Sequence, residues 1–133
     1  MKKISTSIIL VFVFSLMTSC DRTGHYQFQI KNETNEMISV RFQDIENDSV
    51  KNIIIKTGDS AIVLTKRTGI LGKYEKPTRE FEGNDMIEYF KSLQIKVGTE
   101  IINNDFSIAK YWSYKAENEK VGKYNLDISN LKK

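Results

Sequence analysis

Four stretches of the chain alternate apolar and polar residues with a period of two. Tyr26, Phe28 and Ile30 are interleaved with Gln27, Gln29 and Lys31, and Ile38, Val40 and Phe42 with Ser39, Arg41 and Gln43. Leu93, Ile95 and Val97 repeat the pattern around Gln94 and Lys96; Tyr124, Leu126 and Ile128 repeat it around Asn125, Asp127 and Ser129. Successive side chains of a strand point to opposite faces, so each stretch predicts a strand with one buried face. Residues 32–36 are polar and turn-forming, and the two strands they join are expected to pair as a hairpin.

Shorter signals fill the intervals. Ile53-Ile54-Ile55 and Ala61-Ile62-Val63-Leu64 are apolar runs separated by Gly58-Asp59, which predicts either a hairpin or an arch between two sheets. Residues 65–79 hold Gly69, Gly72 and the only proline, Pro77, and are expected to be irregular. Asp85-Met86-Ile87-Glu88 has capping-box spacing, and Met86, Ile87, Tyr89, Phe90 and Leu93 fall on one helical face. These predict one short helix over residues 85–93. Ile101-Ile102 is a short strand candidate, and Trp112-x-Tyr114 is expected to pair with Tyr124-x-Leu126-x-Ile128. About seven short strands with regular turn signals argue for a mainly β protein, a single antiparallel β-sandwich over residues 26–133. A small closed β-barrel is the alternative, since seven or eight strands approach the number needed for closure.

The first twenty residues have a different pattern. Lys2 and Lys3 precede the unbroken apolar run from Ile8 to Phe14, extended by Leu16 and Met17. The run is shorter than the roughly 20 residues that span a bilayer, so a secretion signal is expected rather than a membrane helix. Leu16-Met17-Thr18-Ser19-Cys20 resembles the lipobox of bacterial lipoproteins, with Met17 where that pattern usually has leucine. The resemblance implies that residues 1–19 are removed and that Cys20 carries a thioether-linked lipid and an acylated amine. It places the chain in the bacterial cell envelope, with the outer membrane favoured over the inner. Residues 20–25 are then the lipidated cysteine and a short tether. From Cys20 to Gly24, four residues reach about 14 Å when extended.

Without residues 1–19 the chain has 133 − 19 = 114 residues, enough for one domain. Removing Lys2 and Lys3 leaves 18 basic against 17 acidic side chains, a formal charge of +1. So even a balance argues against nucleic acid as a partner. Cys20 is the only cysteine, which excludes a disulfide, a cysteine nucleophile in the domain and a cysteine-ligated zinc. The only histidine, His25, stands at the start of the first strand. Asp44-Ile45-Glu46-Asn47-Asp48 carries calcium-type ligands but lacks the glycine and distal glutamate of an EF-hand loop, and is expected to be a solvated turn. No spacing selects a pair of carboxylates for glycoside chemistry. Neither a metal nor a cofactor is expected, and no catalytic residue is assigned.

Two surfaces have candidate roles. Lys66, Arg67, Lys73, Lys76 and Arg79 have only Glu75 among them, and are read first as an exposed loop kept soluble by its charges and second as a contact for anionic headgroups or a polyanionic glycan. Tyr111, Trp112, Tyr114 and Tyr124 are read first as core residues and second as a sugar-stacking platform. The spacings Phe28-x-Ile30-x-Asn32, Ile55-x-x-Gly58-Asp59-Ser60 and Tyr124-x-Leu126-x-Ile128 resemble those of immunoglobulin-like modules in envelope lipoproteins. The expected function is a membrane-anchored, non-enzymatic interaction or assembly module, with a membrane-proximal protein or glycan as partner. The alternatives are a barrel-like carrier of a small apolar ligand and a glycan-binding or glycan-processing protein.

Overall fold

The computed structural model describes residues 24–68 and 76–131. The readings made on Cys20 and the residues before it, and on Lys73, Gly69 and Gly72, lie outside the described residues. Eight strands run in chain order: β1 (Gly24–Lys31), β2 (Ile38–Asp44), β3 (Ser49–Ile55), β4 (Ser60–Thr68), β5 (Phe90–Val97), β6 (Glu100–Ile102), β7 (Ser113–Ala116) and β8 (Val121–Asp127). They form two four-stranded sheets, ordered β4-β1-β8-β7 and β3-β2-β5-β6. Neighbours are antiparallel except β1 and β8, which run parallel. The fold is a mainly β sandwich. β4 and β7 edge one sheet and β3 and β6 the other, so the sheets are not closed into the alternative barrel. Each sheet has four strands, whereas the immunoglobulin constant-type sandwich has four in one sheet and three in the other.

The alternating residues supply the core, as their period requires. Phe28, Ile30, Ile38, Val40 and Ile95 are fully buried, while Gln27, Gln29, Arg41, Gln94 and Lys96 face outward. Phe28 is the hub. Its ring stacks on Tyr124 (centroids 5.0 Å apart) and meets Phe90 and Trp112 edge-on, each at 5.5 Å. Trp112 is buried in this cluster, with its indole N–H donating to the Phe106 carbonyl at 2.8 Å. Trp112 and Tyr124 are core residues, 4% and 1% exposed, so neither ring is presented as a sugar-stacking platform.

The expected hairpin between β1 and β2 does not form. The two strands lie in different sheets, and residues 32–37 are an arch. The reason is Asn32, which is fully buried. Its side-chain amide donates to the carbonyls of Glu36 (2.7 Å) and Ile55 (3.0 Å), and its side-chain oxygen accepts from the Thr34 N–H and hydroxyl. Its backbone bonds Asp59 and Gly58 in the neighbouring arch between β3 and β4. One side chain thus satisfies carbonyls of two crossovers that would otherwise be buried without partners. The hairpin that does form is β2–β3, around the acidic turn after Asp44. β7 and β8 pair as expected.

The helix expected over residues 85–93 is also absent; no α-helix occurs among the described residues. Met86 makes an isolated bridge to Ile108, and β5 begins at Phe90. The helical spacing comes from a β-bulge. Ser92 has φ +53°, and the β2–β5 register shifts opposite it. One extra residue puts Phe90 and Leu93 on the same buried face, three apart, which imitates a helical period.

β4 contains a second bulge. Phe28 pairs with Leu64 and Gln29 with Ile62, which leaves Val63 as the extra residue. Beyond it the inward positions are Leu64 and Lys66. The strand continues to Thr68, so the first four residues of the stretch expected to be irregular, residues 65–68, are regular.

Candidate functional site

Gly24, Asp44, Ser49, Thr68, Phe90, Ala116 and Val121 all lie at the strand ends of one pole of the sandwich, the pole where the chain enters. An open cleft of about 540 Å³ lies there, lined by Ile45, Glu46, Asn47, Thr65, Lys66, Arg67, Glu88 and Tyr89. Its wall joins the two sheets: Lys66 comes from β4, whereas Glu46 follows β2 and Tyr89 precedes β5.

Four of the basic residues singled out in the sequence, Lys66, Arg67, Lys76 and Arg79, are described, and they differ in setting. Lys66 is 7% exposed and points inward. Its ammonium lies 3.4 Å from an Asp44 carboxylate oxygen, donates to Glu46, and sits 5.8 Å from the centroid of the Tyr89 ring. It is a pin between the sheets, not a surface contact, because the Val63 bulge turns it inward. Arg67 is exposed on the outer side of β4, and Lys76 is exposed beyond residue 75. Arg79 is exposed and donates to the Phe81 carbonyl at 3.4 Å, with Glu82 at 3.7 Å.

Asp44 is 2% exposed. Burial pushes its carboxyl up, but a 2.8 Å bond from Asn47, the nearby Lys66 charge and backbone N–H groups of the turn outweigh that and hold it below its ordinary value. The acidic turn, expected to be solvated, holds a buried Asp44 and a Glu46 that both meet Lys66, and no metal-ligating cluster occurs among the described residues.

A second feature escaped the sequence reading. Residues 76–81 have no regular secondary structure, yet four tyrosine hydroxyls hold them. Tyr26 donates to the Thr78 carbonyl (2.8 Å) and Tyr114 to the Pro77 carbonyl (2.9 Å). Tyr124 accepts from the Glu80 and Phe81 N–H groups at 2.8 and 3.0 Å. Tyr89 donates to the Glu80 carboxylate at 2.8 Å. Gly122 leaves the room this needs, since a Cβ there would stand 2.6 Å from the Tyr114 hydroxyl. The available signal was the need of buried and half-buried tyrosines for hydroxyl partners: four such rings imply a segment that supplies them.

The strap is expected to make the protein sensitive to alkali. Burial, with the Glu80 and Tyr124 charges, pushes the Tyr26 hydroxyl up to about 12. Burial and the Glu80 bond push Tyr89 up as well, and burial also raises Tyr114. Raised folded values favour the protonated form. The contribution is complete below the unfolded tyrosine value of about 10 and is lost as pH climbs toward the folded values. Phenolate absorbance should show Tyr26, Tyr89 and Tyr114 ionising after free tyrosine, with the urea midpoint falling over the same range. Uniform titration near pH 10 with a flat midpoint would contradict the strap.

His25 is half-buried on the outer side of β1, opposite Arg67, and its Nδ1 has no hydrogen-bond partner among the described residues. At the cleft Lys66 engages Asp44 and Glu46, an ion-paired group joining two sheets beside a tyrosine-bound strap. No family model, no curated protein and no solved structure matches the chain.

Proposed function

We propose that the chain is a lipid-anchored protein of the bacterial cell envelope, with the outer membrane favoured, whose β-sandwich serves as a non-enzymatic interaction or assembly module. The observation that carries this reading is the joining of anchor and domain. β1 begins at Gly24, only four positions beyond Cys20, so no long linker separates the cysteine of the lipobox-like segment from the first core strand. A lipid on Cys20 would hold the entry pole within about 14 Å of the bilayer. Two or more acyl chains would make that anchor lasting. The binding reading is supported by the cleft, whose Lys66 is bound to Asp44 and Glu46, and by the core position of Trp112 and Tyr124.

Cys20→Ser is the test. The variant is expected to leave the membrane fraction or to accumulate with its signal uncleaved, while the wild type stays membrane-bound after high-salt washing. A Cys20→Ser chain that is processed and fractionates with membranes as before would overturn the anchor.

A further inference from the structure

The outer face of the β3-β2-β5-β6 sheet is cationic and apolar together. Cross-strand register sets out three rows: Ile54, Ser39, Lys96 and Ile101; Asn52, Arg41 and Gln94; Val50, Gln43 and Lys91. Arg41, Lys91 and Lys96 supply three positive charges, and none of these strand positions holds a carboxylate. Asp48, bonded to Gln43, lies only at the margin. Ile54, Val50 and Ile101 are 71%, 55% and 47% exposed, and Met37 beside them is 60% exposed. Met37 and Ile54 share an apolar groove of about 380 Å³ with Glu36, Ile38, Ser39 and Gly98. The opposite sheet differs, since its Lys31 and Lys123 are paired with Glu33 and Glu117.

We propose that this face lies flat on an anionic lipid bilayer. The inference rests on the anchored reading above and adds the orientation of the domain. Charge complementarity names the occupant: cations meet headgroup phosphates, while isoleucine, valine and methionine enter the interfacial layer. Tether length permits the pose. Packed sheets stand about 10 Å apart, so β1 rides about that far above the contacting sheet, within the roughly 14 Å reach of the residues after Cys20.

The test is lysine acylation of the full mature protein, bound either to phosphatidylcholine vesicles or to vesicles of phosphatidylcholine with 30% phosphatidylglycerol. On the anionic vesicles the acylation rates of Lys91 and Lys96 should fall by about fivefold, and 1 M salt, which shortens the screening length to about 3 Å, should restore them. Lys115, on the opposite face, should react equally on both. Arg41→Glu/Lys96→Glu changes only exposed positions, and should abolish the shielding of Lys91 while flotation with vesicles persists. Equal reactivity of Lys91 and Lys96 on the two vesicles, or shielding of Lys115 instead, overturns the proposal. So does shielding on native envelope membranes alone, which would assign the face to a protein. The mass of the Cys20 peptide reports on the anchor separately. An unmodified cysteine with shielded lysines removes the anchor and keeps the face; a lipidated cysteine with unshielded lysines does the reverse.

Discussion

Replacing Lys66 by methionine is expected to remove about 3 kcal/mol of stability at neutral pH, the low end for a buried ion pair that loses one partner. The change keeps most of the side-chain volume, so the loss is electrostatic. Asp44, 2% exposed, would keep its charge, the Asn47 bond and the Glu46 N–H at 3.1 Å, but no neighbouring cation. Those surviving bonds set the loss at the low end. Lys66→Met/Asp44→Asn should recover about 2 kcal/mol of it, because removing both charges avoids an unpaired buried one. The neutral amide also retains an acceptor for the turn.

The pH dependence separates this account from simple loss of packing. In the wild type Asp44 is held below its ordinary value, so its contribution is present above the unfolded aspartate value of about 3.8 and is lost as pH falls through the lower folded value. In Lys66→Met one of the groups that hold the Asp44 value down is gone, so less of the contribution is left to lose on acidification. The gap between variant and wild type should therefore narrow as pH falls below about 4. Urea unfolding followed by Trp112 emission measures both. A gap that stays constant with pH would assign Lys66 a packing role instead.

What the sequence revealed, and what it hid, follows from the range of the interactions. Alternation at Phe28, Val40, Ile95 and Leu126 marks strands because it records a local fact, which face is dry. The partner of each strand depends on distant groups. Nothing in Asn32-Glu33-Thr34 announces that the Asn32 amide will reach the Ile55 carbonyl, yet that bond accompanies an arch where a hairpin was expected. Bulges are the other source of error, since one inserted residue inverts the parity of everything after it. At Ser92 the inversion looked like a helix; at Val63 it turned Lys66 from the expected surface into the interior. The strap was hidden for a third reason. Residues 76–81 have no periodicity of their own, and the tyrosines that hold them come from β1, β7 and β8 and from the segment before β5.

Phe28→Ala is expected to cost about 4 kcal/mol, within the range for large-to-small changes of a buried aromatic. Phe28 has no exposed surface and contacts rings contributed by both sheets and by the segments that join them. Truncation removes transfer energy and leaves a cavity. It also removes the 5.0 Å stack with Tyr124, whose hydroxyl holds the strap at Glu80 and Phe81. The stack and the strap are thus coupled through one ring. Phe28→Leu keeps much of the apolar volume but no ring, and should cost about 1–2 kcal/mol. A chain of this size has about 5–15 kcal/mol in total, so the alanine variant should be marginal and the leucine variant folded. If Tyr124 is positioned by Phe28, the leucine variant should also speed hydrogen exchange of the Glu80 and Phe81 N–H groups that donate to the Tyr124 hydroxyl, whereas Ile38→Val, at the far pole, should leave that exchange unchanged. A leucine variant that matches wild type in both stability and the exchange of these two N–H groups would mean that the ring contacts at Phe28 add nothing beyond their apolar area, and that the strap is held without them.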